Sequence, residues 1–257
     1  MLIVIIPAIA LILFVVLVVV ILLGRRLRRV LPAEHLSAES KDAVKLALGL
    51  IGTMTAILLG LLISSAKGAF DNTQSEVIQM AAKVALLDRV LTLYGPETAE
   101  TRRALRDAIA DGVRRTWPAE RSGPVRLEPN PQMGDAVYVD ISRLAPRDDA
   151  QRALKTEAAN LMVQLAEIRA LLQAQAVSSV SKPLLIALMI WLVVIFLGFS
   201  LLAPANATTT LALFVGAFSV ACAVFLILEL NYPFAGVVRV PSDPMIKTLD
   251  HLTKQTS

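Results

Sequence analysis

Four stretches of the chain, residues 2–23, 46–66, 183–203 and 208–228, are apolar runs without a charged side chain. A helix needs about 20 such residues to cross the hydrocarbon of a bilayer, so each run predicts a membrane span. Pro7 falls in the second turn of the first run, where a bilayer helix tolerates it. That run has no basic segment before it and continues straight into Arg25-Arg26-Leu27-Arg28-Arg29, so it reads as a retained span rather than a cleaved leader. Only Pro204, Ala205, Asn206 and Ala207 separate the last two runs, which predicts an antiparallel helical hairpin.

The 116 residues from 67 to 182 are more polar and carry helical rather than strand periodicity. Val77, Met80, Val84, Leu87, Leu91 and Tyr94 alternate at steps of three and four, one apolar stripe, and Gly95-Pro96 ends it. Leu154, Ala158, Leu161, Leu165, Ile168 and Leu172 repeat the pattern on the way back to the third run. Between them, residues 96–117 predict a polar helix with Pro96 in its first turn and Leu105, Ile109 and Val113 on one face. Five prolines between 118 and 146 predict a loop holding a short helical turn at 137–144. No breaker lies within 67–94 or 147–181, so both stripes are expected to leave the membrane as long helices. At 1.5 Å per residue, the stretch from 46 to 94 reaches roughly 70 Å, more than twice the hydrocarbon thickness.

The expected fold is therefore all-α: four transmembrane helices with a helical extramembrane insertion. The boundaries divide the chain into 1–66 (two spans and a basic connecting loop), 67–182 (insertion), 183–230 (hairpin) and 231–257 (tail). Composition agrees, with 56 % hydrophobic residues and only 18 % charged ones, far from the balance of a soluble domain. The net charge of +4 is local. Residues 24–45 carry six basic against three acidic side chains, whereas 67–182 is nearly balanced. Such an excess beside a span labels topology and argues against nucleic-acid binding. It predicts a cytoplasmic 24–45 loop, with the N-terminus, the helical insertion and the tail outside.

Candidate chemistry is sparse. One cysteine, Cys222, and two distant histidines, His35 and His251, offer no disulfide framework, metal site or nucleophilic dyad. No phosphate-loop, hydrolase or zinc-protease fingerprint occurs, so neither a catalytic residue nor a cofactor is expected, and the chain reads as a non-enzyme. The second span carries the most informative pattern. Gly52, Ala56, Gly60, Ser64 and Gly68 stand four apart, a small-residue ridge that admits a close helix neighbour. Thr53, Ile57, Gly60 and Ser64 form an adjacent face suited to a pore wall, with hydroxyls and an apolar constriction. Both readings stand on sequence alone: packing seam or pore lining. Glu229 is the one carboxylate at the edge of a span, and it opens the sequence Glu229-Leu230-Asn231-Tyr232-Pro233-Phe234-Ala235-Gly236.

That sequence, continued by Val237-Val238-Arg239-Val240 and Ser242-Asp243-Pro244, resembles the C-terminal signature of a bacterial membrane family labelled bestrophin-like. The stretch from Leu59 through Phe70, Asp71, Asn72 and Glu76 to Asp88-Arg89 is similar to that family too, so the likeness covers most of the chain. Glu229, Asn231, Pro233, Phe234 and Gly236 are the residues that carry the motif. True bestrophins are pentameric anion channels whose second span lines the pore and extends into a cytoplasmic helical domain. The resemblance thus implies a homo-oligomer in the bacterial inner membrane, with the lipid bilayer and small ions as partners. It also implies a cytoplasmic insertion, opposite to the charge rule. Ala235 interrupts the Pro-Phe-Gly of bestrophins, and only Asp243 stands where they carry an acidic cluster, so no calcium site is carried over. The alternative is a membrane-anchored structural or sensing protein whose helical stalk binds a partner or ligand.

Overall fold

The computed structural model describes residues 2–30, 38–118, 131–175, 182–204 and 206–254, and among these there is helix and no strand. Helices α1 (Leu2–Val30) and α2 (Ala38–Tyr94) come first. A short 3-10 turn at Pro96–Thr98 then leads into α3 (Ala99–Thr116). Next come α4 (Pro131–Arg143), α5 (Asp149–Gln175), α6 (Lys182–Leu202), α7 (Ala207–Leu230) and α8 (Asp243–Lys254). Helices α1, α2, α6 and α7 each contain a segment long and apolar enough to cross a membrane.

The chain forms two compact units, residues 1–69 with 179–231, and residues 70–178 with 232–257. In the first, α1 packs on α6 and α7. Its core joins Leu13, Leu17 and Ile21 of α1 to Leu62 and Ala66 of α2, Leu188 and Leu192 of α6, and Val224 and Ile227 of α7. Two glycines permit close approach here. A Cβ on Gly198 would lie 2.6 Å from the Leu48 methyls, and one on Gly24 would collide with Ser200. Phe14 meets Phe218 edge-on with ring centroids 6.0 Å apart. Beside this pair lies a cavity of about 320 Å³ walled by Pro7, Phe14, Phe218, Cys222 and Phe225.

In the second unit the helical stripes bury as their spacing requires. Val77, Val84, Leu87, Leu91 and Tyr94 are buried on α2, and Ala158, Leu161, Leu165, Ile168 and Leu172 on α5. Polar bonds tie the two helices together. Gln175 donates to Glu76 at 2.6 Å, Lys83 bonds Gln164, and Gln151 donates to the Tyr94 carbonyl at 3.0 Å. Burial pulls the Arg169 guanidinium below its ordinary pKa, with Asp135 opposing the shift.

Several elements differ from the sequence reading, among them α2, which starts at Ala38 rather than at 46. Helix α1 does not stop at Leu23 but carries all four arginines to Val30. Its last-turn carbonyls favour cations, which offsets part of the charge crowding. Helix α4 has 13 residues rather than one turn, because Pro131 suits a first helical position and Val137 and Ile141 share a buried face. The tail contains α8, whose Met245, Thr248 and Leu252 are buried at helical spacing. His35, residues 119–130 of the proline-rich loop and the join between α5 and α6 lie outside the described residues.

Candidate functional site

Helix α2 presents two opposite faces in its membrane segment. Leu48, Thr55, Leu62 and Ala66 are buried at 4, 6, 3 and 0 % exposure, and their spacing of seven or four keeps them on one side. The Thr55 hydroxyl is buried by donating to the Ile51 carbonyl at 2.7 Å, four residues back, which satisfies it without a second helix. On the far side stand Thr53, Ile57, Gly60 and Ser64, all exposed, with Ile57 at 68 %. Thr53 donates to the Gly49 carbonyl at 2.9 Å, so its oxygen keeps acceptor capacity towards the outside. From Thr53 to Ser64 the face extends about 16 Å along the axis, half the hydrocarbon thickness.

The small-residue ridge winds from the half-buried Gly52 to the exposed Ala56, Gly60, Ser64 and Gly68. A Cβ added at Gly52, Gly60 or Gly68 would meet nothing within 4 Å. The close helix approaches inside this chain use Gly24 and Gly198 instead, two positions the sequence reading did not single out. The signal for them was available only as isolated glycines in otherwise bulky spans.

The C-terminal motif is divided between the two units. Glu229 is wholly buried in the last turn of α7, and Asn231 caps that helix, its N–H donating to the Ile227 carbonyl at 3.3 Å. Past this point the chain folds back on itself: Val240 N–H donates to the Pro233 carbonyl at 2.8 Å, Ala235 N–H to the Tyr232 carbonyl at 3.1 Å, and Arg239 Nε to the Gly236 carbonyl at 2.7 Å. Phe234 is 4 % exposed and stands edge-on to Trp117, 5.6 Å between centroids. The Trp117 indole Nε1 donates to the Val240 carbonyl at 2.9 Å, so one side chain at the end of α3 holds both limbs of the fold-back. This role of Trp117, 123 positions from Val240, had no signature in the sequence. Among the described residues, no three His, Cys, Asp or Glu side chains are grouped so as to hold a metal ion.

The fold is shared with solved structures. A family model described as a bestrophin-like domain matches residues 11–245. A crystal structure of a bacterial bestrophin homologue from Klebsiella pneumoniae, carrying a single substitution, aligns with a TM-score of 0.69 at 16 % identity, over 96 % of this chain and 98 % of that one. A second crystal structure, described as that of a membrane protein variant, aligns with a TM-score of 0.70 at 16 % identity, over 96 % and 97 % of the two chains. At these identities the likeness is one of fold. No curated protein matches the sequence.

Proposed function

Because this integral membrane protein belongs to the bestrophin-like family, whose domain spans residues 11–245, we propose that it is an ion channel lined by the exposed face of α2. The single observation that supports this most strongly is the two-faced burial of that helix. Thr53, Ile57, Gly60 and Ser64 face away from the chain's own core, in a segment apolar enough to lie in hydrocarbon. One helix cannot enclose a pathway, so several copies surround it, and a closed ring is the ordinary solution for identical chains. Ile57 then supplies an apolar constriction, and Thr53 and Ser64 supply hydroxyls on either side of it. A wall without a fixed charge suits weakly selective permeation, with small anions as the leading class by likeness to bestrophins.

The four arginines at the end of α1 favour a cytoplasmic position for that end in the bacterial inner membrane. The N-terminus, the second unit and the tail are then extracytoplasmic; bestrophins have the opposite arrangement. Labelling of a cysteine placed at Lys254 by an impermeant thiol reagent on intact cells, in a Cys222→Ser background, decides between the two.

The functional test is chloride and potassium flux through purified protein in liposomes, wild type against Gly60→Leu. A Cβ at Gly60 meets nothing within 4 Å in the single chain, so the substitution is aimed at the pathway rather than at the chain's own core. A leucine there narrows the pathway and lowers flux by about tenfold or more at unchanged oligomer mass. Equal flux from the assembled variant removes the α2 pathway. Absence of flux from wild type at varied pH and calcium moves the function to the helical unit as a partner-binding module.

A further inference from the structure

We propose that the arginine-rich end of α1, level with the start of α7, binds the phosphate of an anionic phospholipid of the phosphatidylglycerol or cardiolipin class. Helix α1 contains no acidic residue, and Arg25, Arg26, Arg28 and Arg29 occupy its last six positions with Leu27 and Val30. Because the helix persists past the apolar run, the arginines are held in fixed relative positions. Arg25, Arg28 and Arg29 share one side at spacings of three and four, and Arg26 lies one step round. Like charges at these spacings repel, and a bound anion relieves that repulsion.

One of the four is already committed. The Arg28 guanidinium donates to the Ala203 carbonyl just past the end of α6. Arg26 and Arg29 are exposed and Arg25 half-buried, and among the described residues none of the three has an acidic partner.

The helix register brings a second source of positive potential to the same level. Helices α1 and α7, the first and fourth spans, run antiparallel, with Phe14 against Phe218. Eleven residues on from Phe14 is Arg25, and eleven back from Phe218 is Ala207, the first residue of α7. The Arg28–Ala203 bond fits the same register independently. The N-terminal turn of α7 is well formed, with Asn206 Oδ1 accepting the Thr209 N–H at 2.9 Å and the Thr210 hydroxyl donating to the Asn206 carbonyl at 2.7 Å. Its N–H groups and dipole therefore point towards the surface that the arginines occupy.

A lipid headgroup rather than free phosphate is the occupant, because the arginines follow directly on a hydrocarbon-spanning run. Arginine at such a boundary lays its aliphatic stem along apolar surface while its guanidinium reaches headgroup level. Such clusters beside a span recognise anionic leaflets, and each arginine strengthens binding about fivefold.

The test measures retention of lipid by the purified full-length protein, using native mass spectrometry after delipidation and titration with short-chain phosphatidylglycerol or phosphatidylcholine. Wild type retains phosphatidylglycerol in preference to phosphatidylcholine, and the binding weakens as salt rises. Replacing Arg25, Arg26 and Arg29 by Gln weakens phosphatidylglycerol binding roughly 100-fold, while the all-Lys triple variant keeps most of it. Lys247→Gln with Lys254→Gln, exposed cations of α8, leaves it unchanged. Salt-independent binding in wild type, equal retention of the two lipids, or an unaffected Gln variant overturns the proposal. Displacement of the lipid by inorganic phosphate at equal concentration assigns the site to free phosphate and overturns the lipid assignment. The wild-type salt and lipid comparisons stand even where the Gln variant fails to fold, and none of the readouts depends on conduction.

Discussion

Arg102 and Asp88 form a two-point ion pair inside the second unit, Nε to Oδ1 at 2.6 Å and Nη2 to Oδ2 at 3.0 Å, with side chains 11 and 5 % exposed. The pair fastens α3 to α2 on the far side of the Gly95 turn. Planar guanidinium and carboxylate match each other at two points, so the geometry is as specific as it is strong. Removing one partner strands the other charge in a dry site. Asp88→Asn is therefore expected to destabilise the second unit by about 3–5 kcal/mol, whereas replacing both residues with apolar ones of similar volume recovers most of the loss. Chemical denaturation of the three variants checks this; equal stability of Asp88→Asn and wild type contradicts it.

Gly95 closes α2 with φ at +137°, the one positive φ among the described residues. A side chain is strained there, and its Cβ would lie 2.5 Å from Glu97 Oε2. Gly95→Ala is expected to lose more than about 1 kcal/mol through backbone strain. Faster amide exchange at residues 91–101, with the membrane segment of α2 unaffected, is the expected signature.

Trp117 is expected to govern the order of the C-terminal fold-back. Trp117→Phe keeps the edge contact with Phe234 and loses the bond to the Val240 carbonyl, a change of about 1 kcal/mol. Trp117→Ala loses the packing as well and costs about 3–5 kcal/mol. Hydrogen exchange across residues 232–242 rises in that order; equal protection in all three proteins rejects the assignment.

The sequence made the long-range architecture legible where one physical rule acted alone. Hydrocarbon thickness sets the four spans, and the three-four stripes of α2 and α5 mark the buried faces, with Leu154 only half-buried at the start of α5 and Met80 half-buried because Ala81 takes its place. Gly95-Pro96 marks a helix end because a positive φ and a missing N–H both require it. Less legible were features that depend on tertiary partners. Helix α8 is too short to stand by its own propensity and forms where Met245, Thr248 and Leu252 find a surface. Likewise, the four-spaced ridge of α2 advertises close packing, yet the glycines that allow it inside this chain are Gly24 and Gly198, whose partners Ser200 and Leu48 come from other helices.

This contrast separates two kinds of glycine. Gly198→Ala is expected to destabilise the first unit by about 1–3 kcal/mol, since Leu48 has to move. Gly60→Ala should leave the stability of the single chain within about 0.5 kcal/mol of wild type. Thermal unfolding in detergent compares them, and a larger loss for Gly60→Ala places a neighbouring chain against the ridge.

The most direct measurement of the central proposal is ionic current through reconstituted protein bearing Thr53→Cys or Ser64→Cys, in a Cys222→Ser background, before and after a charged thiol reagent. A pathway lined by this face of α2 predicts that complete modification, confirmed by mass, alters or blocks the current at both positions, while a cysteine at Leu11, an exposed position on α1, does not. Unchanged current after complete modification of both residues contradicts the proposal that α2 lines the pathway.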